Sequence, residues 1–130
     1  PMFSFGHGLS YTTFEYGKAE IDKKVMRQGE SLRVRIPVTN TGNRSGAEIV
    51  QLYVSDLKSS LPRPKKELKG FKKVDLQPGE SQIVEFEIEE SKLSYFDDKK
   101  HAWVAESGKF EILIGASSSD IRSKVAFELE

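Results

Sequence analysis

The chain has 130 residues, with 20 Lys+Arg against 20 Asp+Glu and no cysteine. That length fits one domain, which by area scaling buries roughly two-thirds of the surface its unfolded chain exposes. The composition excludes a disulfide framework, a thiolate metal site and a cysteine nucleophile. A net charge of zero removes the basic field expected of a general nucleic-acid binder. The longest apolar runs, such as Ile112 to Ile114, fall far short of the ~20 residues that cross a bilayer.

The first residues, PMFSFGHGLSYTTF, have neither a basic start nor an uninterrupted apolar stretch and do not read as a signal peptide. A chain opening on Pro1 is expected to be a piece of a longer polypeptide. Phe3, Phe5, Leu9, Tyr11 and Phe14 are apolar without alternation, so residues 1–13 read as a connector that packs against something outside the domain.

From Phe14 onward the dominant period is two, in short blocks separated by Gly, Pro, Asn and Ser. A weak block runs from Phe14 to Ile21. Leu32, Val34, Ile36 and Val38 then alternate with Arg33, Arg35 and Pro37, and the proline, unable to donate to a ladder, predicts an edge or bulge. The block from Ile49 to Val54 is apolar on both sides and predicts a central or covered strand. A second weak block spans Leu68 to Leu76. Val84, Phe86 and Ile88 alternate with Glu85, Glu87 and Glu89, whose acidic row must face water or basic neighbours. Phe110, Ile112 and Ile114, then Val125, Phe127 and Leu129, complete the set. About seven strands predict an all-β, immunoglobulin-like antiparallel β-sandwich over residues 14–130.

Gln28-Gly29-Glu30, Thr41-Gly42-Asn43, Pro78-Gly79 and Ser107-Gly108 place turn formers between blocks, with Pro78-Gly79 suited to a type II turn. Between Glu90 and Asp98 the alternation breaks, which predicts one helical turn capped by Ser91 that docks Leu93, Tyr95 or Phe96 on the sandwich edge. Seven basic residues from Lys58 to Lys73 and five acidic ones from Glu80 to Glu90 read as neighbouring strands with complementary outer faces; a basic patch for an anionic polymer is the sharper alternative.

Candidate chemistry is sparse. Glycoside cleavage needs two carboxyls roughly 5 to 10 Å apart across a cleft, and no pair stands out. His7 and His101 are too few for a zinc site, and the glycines around His7 lack the strand and helix of a phosphate-binding loop. Asp97-Asp98 lacks the spacing of a calcium loop, and Ser117-Ser118-Ser119-Asp120 reads as a polar loop rather than a nucleophile elbow. Asn43-Arg44-Ser45 matches a glycosylation acceptor. No catalytic residue, cofactor or metal is expected. Trp103, with Tyr95 and Phe96 nearby in sequence, is the best candidate for a sugar-stacking platform, although a core or inter-domain contact is the first reading of a lone tryptophan.

Four phrases, PMFSFGHGLSYTTFEY, VTNTGNRSGAEIVQLYVSD, LPRPKKELKGFKKVDLQPGES and WVAESGKFEILIGASSSDI, together resemble the C-terminal fibronectin type III-like domain of glycoside hydrolase family 3 enzymes, the β-glucosidase and β-xylosidase group. The resemblance covers nearly the whole chain. It implies a fibronectin type III-like sandwich behind a catalytic β/α barrel and an α/β domain, which would be its partners in one polypeptide. It also implies hydrolysis of β-linked sugars by that polypeptide, in the periplasm or outside the cell. The expected role is to brace those domains through Phe3, Phe5, Leu9, Tyr11 and the loop Leu61-Pro62-Arg63-Pro64. The alternatives are binding of a β-linked oligosaccharide at Trp103, Tyr95 and Phe96, or adhesion or oligomer contact through an exposed strand.

Overall fold

The computed structural model describes residues 12–57, 66–105 and 107–130, with 95–97 described by their backbone alone. Eleven strand segments lie among them: β1 (Phe14–Tyr16), β2 (Glu20–Ile21), β3 (Val25–Met26), β4 (Ser31–Asn40), β5 (Gly46–Asp56), β6 (Lys66–Leu76), β7 (Ser81–Glu89), β8 (Tyr95–Asp97), β9 (Ala102–Val104), β10 (Gly108–Ser117) and β11 (Asp120–Leu129). One sheet places β4 between β7 on one side and β1 and β2 on the other; the second runs β3-β11-β10-β5-β6, and β8 and β9 form a separate ribbon. This is the expected all-β sandwich. Each of the seven blocks becomes strand, the first of them divided.

Alternation makes the core. Leu32, Val34, Ile36 and Val38 from β4 and Val84, Phe86 and Ile88 from β7 meet Val50, Leu52 and Val54 from β5, Phe110, Ile112 and Ile114 from β10, and Phe127 and Leu129 from β11. Phe110 and Phe127 stack with centroids 5.5 Å apart and planes 14° apart. As the apolar run on both sides predicts, β5 is central, hydrogen-bonded to β10 and β6.

The chain between Phe14 and Met26 changes sheets. β1 and β2 pair with the same side of β4, and β3 then lies parallel to β11, with Glu128 and Glu130 donating backbone N–H bonds to the carbonyls of Lys24 and Met26 at 2.9 Å. Pro37 is not at an edge. It pairs with Ile83 on one side of β4, and its carbonyl accepts from the Gly17 N–H at 2.8 Å on the other. A strand residue directs its N–H and C=O to one side, so the proline's missing donor falls opposite Gly17, just past the end of β1, and only the bond that would return to Gly17 is absent. A Cβ on Gly17 would come within 2.4 Å of Pro37 Cγ, which fixes glycine at the break.

Two turns repeat one solution. Gly29 (φ 85°) and Gly79 (φ 79°) take the third position of Arg27–Glu30 and Gln77–Glu80, where the fourth residue's N–H returns to the first carbonyl at 3.0 and 2.9 Å. In both, the closing glutamate sends Oε1 back to the first residue's N–H, at 3.0 Å for Glu30 and 2.8 Å for Glu80. Pro78-Gly79 thus forms the expected type II turn.

Other expectations are corrected. β6 and β7 flank that turn but belong to different sheets, so the lysines of β6 do not face the glutamates of β7. β7 lies instead against β4, where Arg33 and Arg35 approach Glu85 at 3.6 and 3.0 Å. The 3-10 turn Glu90–Leu93 does dock Leu93 in the core, but its N-cap is Glu89 with no side-chain bond, and Ser91 lies inside the turn. No helix is long and apolar enough to cross a membrane among the described residues.

Candidate functional site

Phe3, Phe5, Leu9, Tyr11, His7 and the loop Leu61-Pro62-Arg63-Pro64 lie outside the described residues. Trp103 lies on β9 opposite Phe96 of β8 and is 71% exposed, which corrects the core half of its first reading and leaves the inter-domain half. The ribbon thus brings Trp103 and Phe96 into register and places Tyr95 opposite Val104. His101 sits at φ 50° in the exposed turn of the same ribbon. The run Ser117 to Asp120 is the polar tip between β10 and β11, as expected. Among the described residues no three His, Asp or Glu side chains converge as metal ligands.

The polar groups that are buried were not singled out by the sequence reading. Asn40, at the end of β4, is fully enclosed. Its Oδ1 accepts from Thr12 Oγ1 and the Gly42 N–H, both at 2.9 Å, and its Nδ2 donates to the carbonyls of Arg44 at 2.8 Å and Leu76 at 3.0 Å. Its backbone N–H donates to the Glu80 carbonyl at 3.0 Å while its carbonyl accepts from Gly79 at 2.8 Å. One residue therefore joins the entry into β1, the β4–β5 loop and the β6–β7 turn. Parity gives the only sequence signal: Asn40 extends the inward set Val34, Ile36 and Val38 by one step.

A second cluster ties the sheets together. The Tyr16 hydroxyl on β1 donates to Glu48 Oε2 on β5 at 3.0 Å. The Arg122 guanidinium lies over the Tyr16 ring, 5.1 Å from its centroid, and donates to the Phe14 carbonyl at 3.0 Å. Asp120 holds that guanidinium with two bonds of 2.7 and 2.9 Å. Glu48 shares the inward parity of Val50, Leu52 and Val54 and is 8% exposed. Arg122 was not legible, because the pairing steps from Ile114–Ser123 to Gly115–Ile121 and leaves it as the extra residue of a bulge, which re-aims a side chain.

Burial pushes the Glu48 carboxyl above its ordinary value, partly opposed by the Tyr16 bond and the Arg122 charge, with Asp120 adding a small upward push. Burial also holds the Tyr16 phenol far above its ordinary range, reinforced by Glu48. The bonds to Arg122 pull Asp120 down, and those bonds raise Arg122 in turn. Among the described residues no buried side-chain nitrogen or oxygen lacks a partner. The carboxyls nearest to unusual chemistry are thus enclosed or paired, the reverse of two carboxyls opposed across an open cleft.

Residues 48–118, more than half the chain, match the profile of the fibronectin type III-like domain. The chain belongs to this family. The fibronectin type III-like domain is 52% identical over 128 residues to β-glucosidase BoGH3A of Bacteroides ovatus, covering 98% of this chain and 17% of that protein. Among solved structures, the β-glucosidase EmGH1 of Erythrobacter marinus superposes with a TM-score of 0.89 at 39% identity, over 98% of this chain and 17% of that one. The GH3 β-glucosidase of Bifidobacterium adolescentis superposes at 0.84 with 37% identity, over 93% and 18%. The domain therefore spans about a sixth of the length of the proteins it matches.

Proposed function

We propose that this chain is a non-catalytic accessory domain of a family 3 glycoside hydrolase and braces the catalytic barrel and α/β domain of the same polypeptide. The observation that carries the reading is coverage: relatives match this chain almost end to end, while it accounts for only 17% of their length. The enclosed state of Glu48 and the pairing of Asp120 with Arg122 support a structural role for these carboxyls. Residues 1–13, with Phe3, Phe5, Leu9 and Tyr11, and the loop from Leu61 to Pro64 are the proposed contacts. On this reading the polypeptide hydrolyses β-linked glycosides, in the periplasm or outside the cell. Deleting residues 14–130 from the full-length polypeptide is expected to lower its unfolding midpoint and soluble yield. An unchanged midpoint and turnover would count against bracing.

The exposure of Trp103 favours a second reading, in which the β8–β9 ribbon holds a β-linked oligosaccharide by ring stacking. Trp103 is the single tryptophan of this chain, so its fluorescence reports the site directly. A titration with β-glucan oligosaccharides is expected to shift the emission, and a flat response removes the idea.

A further inference from the structure

The two outer faces of the sandwich differ in how their charges are matched. On the four-stranded sheet Arg33 and Arg35 share Glu85, Ser31 Oγ donates to Glu87 at 2.9 Å, and the hydroxyls of Thr39 and Ser81 bond at 2.6 Å. That face satisfies itself. On the five-stranded sheet the edge strand β6 sends Val74 and Leu76 inward, so Phe71 points outward. A bulge between its Gly70 and Leu68 pairings turns Leu68 outward as well. Leu68 is 50% and Phe71 66% exposed, with Lys66 and Lys73 on the same side of the strand and Lys69 at the bulge.

None of these three lysines has a carboxylate within 4.0 Å among the described residues. Lys66 is held instead by the Ser118 carbonyl at 2.6 Å and stands over the Tyr53 ring, whereas Lys72 pairs with Val50 and faces the other side of the strand, 5.7 Å from the centre of the Phe86 ring. Glu67 and Asp75 also lie on β6, leaving the strand with two positive charges in excess. Lysines along an open edge oppose the addition of a further strand, so a partner would lie on the face rather than pair with the backbone.

We propose that this face, centred on Phe71 and Leu68, docks an apolar surface with an acidic rim in the catalytic part of the same polypeptide. The inference rests on the accessory-domain reading above and adds the face and the chemistry of what covers it. Covalent tethering keeps the far larger remainder of the polypeptide at high local concentration, so it outcompetes a separate molecule for an exposed aromatic patch. The unmatched lysines select an acidic rim, which the self-paired outer face of the other sheet would not do.

The test compares two engineered cysteines in the full-length polypeptide, Phe71→Cys and Ile83→Cys. The native side chains are 66% and 59% exposed in this domain, on opposite outer faces. Maleimide labelling at Phe71→Cys is expected to be about tenfold slower than at Ile83→Cys in the folded protein, with the two equal in urea. Leu68→Cys gives the same reading should Phe71→Cys not fold. Equal rates overturn the docking face, as does protection that disappears on dilution, which would indicate a second copy of the protein. A deletion of residues 14–130 that lowers the unfolding midpoint, combined with equal labelling, keeps bracing and rejects this face; a deletion without effect rejects bracing itself.

Discussion

Asn40 shows how much one buried amide can hold when all of its hydrogen bonds are made. Removing the side chain unpairs the buried Leu76 carbonyl together with the part-buried Gly42 N–H and Arg44 carbonyl bonds, and a buried unpaired group costs about 1–3 kcal/mol. Asn40→Ala is therefore expected to lower the unfolding free energy by about 2–4 kcal/mol in urea denaturation. A wild-type midpoint would remove Asn40 from this role. Glu48 behaves differently, because its folded value is raised. The fold binds that proton more tightly than the unfolded chain does, so stability falls as pH rises from the ordinary glutamate value through the folded one. Asp120 has the opposite sign: its contribution is present above its ordinary value and fades as pH drops through its depressed folded value. Glu48→Gln keeps an acceptor for the Tyr16 hydroxyl and removes the charge. Its unfolding free energy is expected to equal or exceed wild type near neutrality and to lose the downward slope above the ordinary glutamate value. Chemical denaturation across pH measures both, and an unchanged slope would show that Glu48 is not its source.

At the level of strands, the alternation of Val34, Ile36 and Val38, and of Phe110, Ile112 and Ile114, was sufficient to place β4 and β10, because a half-buried strand needs one apolar face and nothing else. What alternation could not show is which strands become neighbours. The lysines of β6 and the glutamates of β7 look complementary along the chain, yet the Gln77–Glu80 turn carries the backbone from one sheet to the other. Pro37 differs for a related reason: a proline in a central strand forfeits a single bond when it sits opposite a break in the adjoining strand. Ser91 offered a cap where Glu89 occupies the position, and the Arg122 bulge left no mark in the alternation. The turn was legible down to its type. Gly79→Ala is expected to cost about 1 kcal/mol, since the φ of 79° disfavours any Cβ although the surrounding space is open. Thermal unfolding measures it, and no loss would mean that the turn relaxes to another conformation.

Across the whole molecule, contacts distant in sequence hold the sheets together: Arg122 reaches the Phe14 carbonyl, and Ser123 Oγ accepts from the Ala19 N–H at 2.9 Å. The first and last described segments are thus interdependent, and unfolding is expected to be a single cooperative event. Phe110→Ala, which empties one side of the Phe110–Phe127 stack, should lower stability by about 3–5 kcal/mol. Near- and far-ultraviolet circular dichroism should still change together; separated transitions would show that the sheets melt independently.

The Tyr16 phenol has a consequence in alkali. Above pH ~10 the unfolded chain ionises this tyrosine freely, whereas the fold withholds its proton, so alkali drains stability through this side chain. Phenolate absorbance from Tyr16 should therefore stay silent until the sandwich opens, which makes the ring an optical gauge of whether its two sheets remain closed.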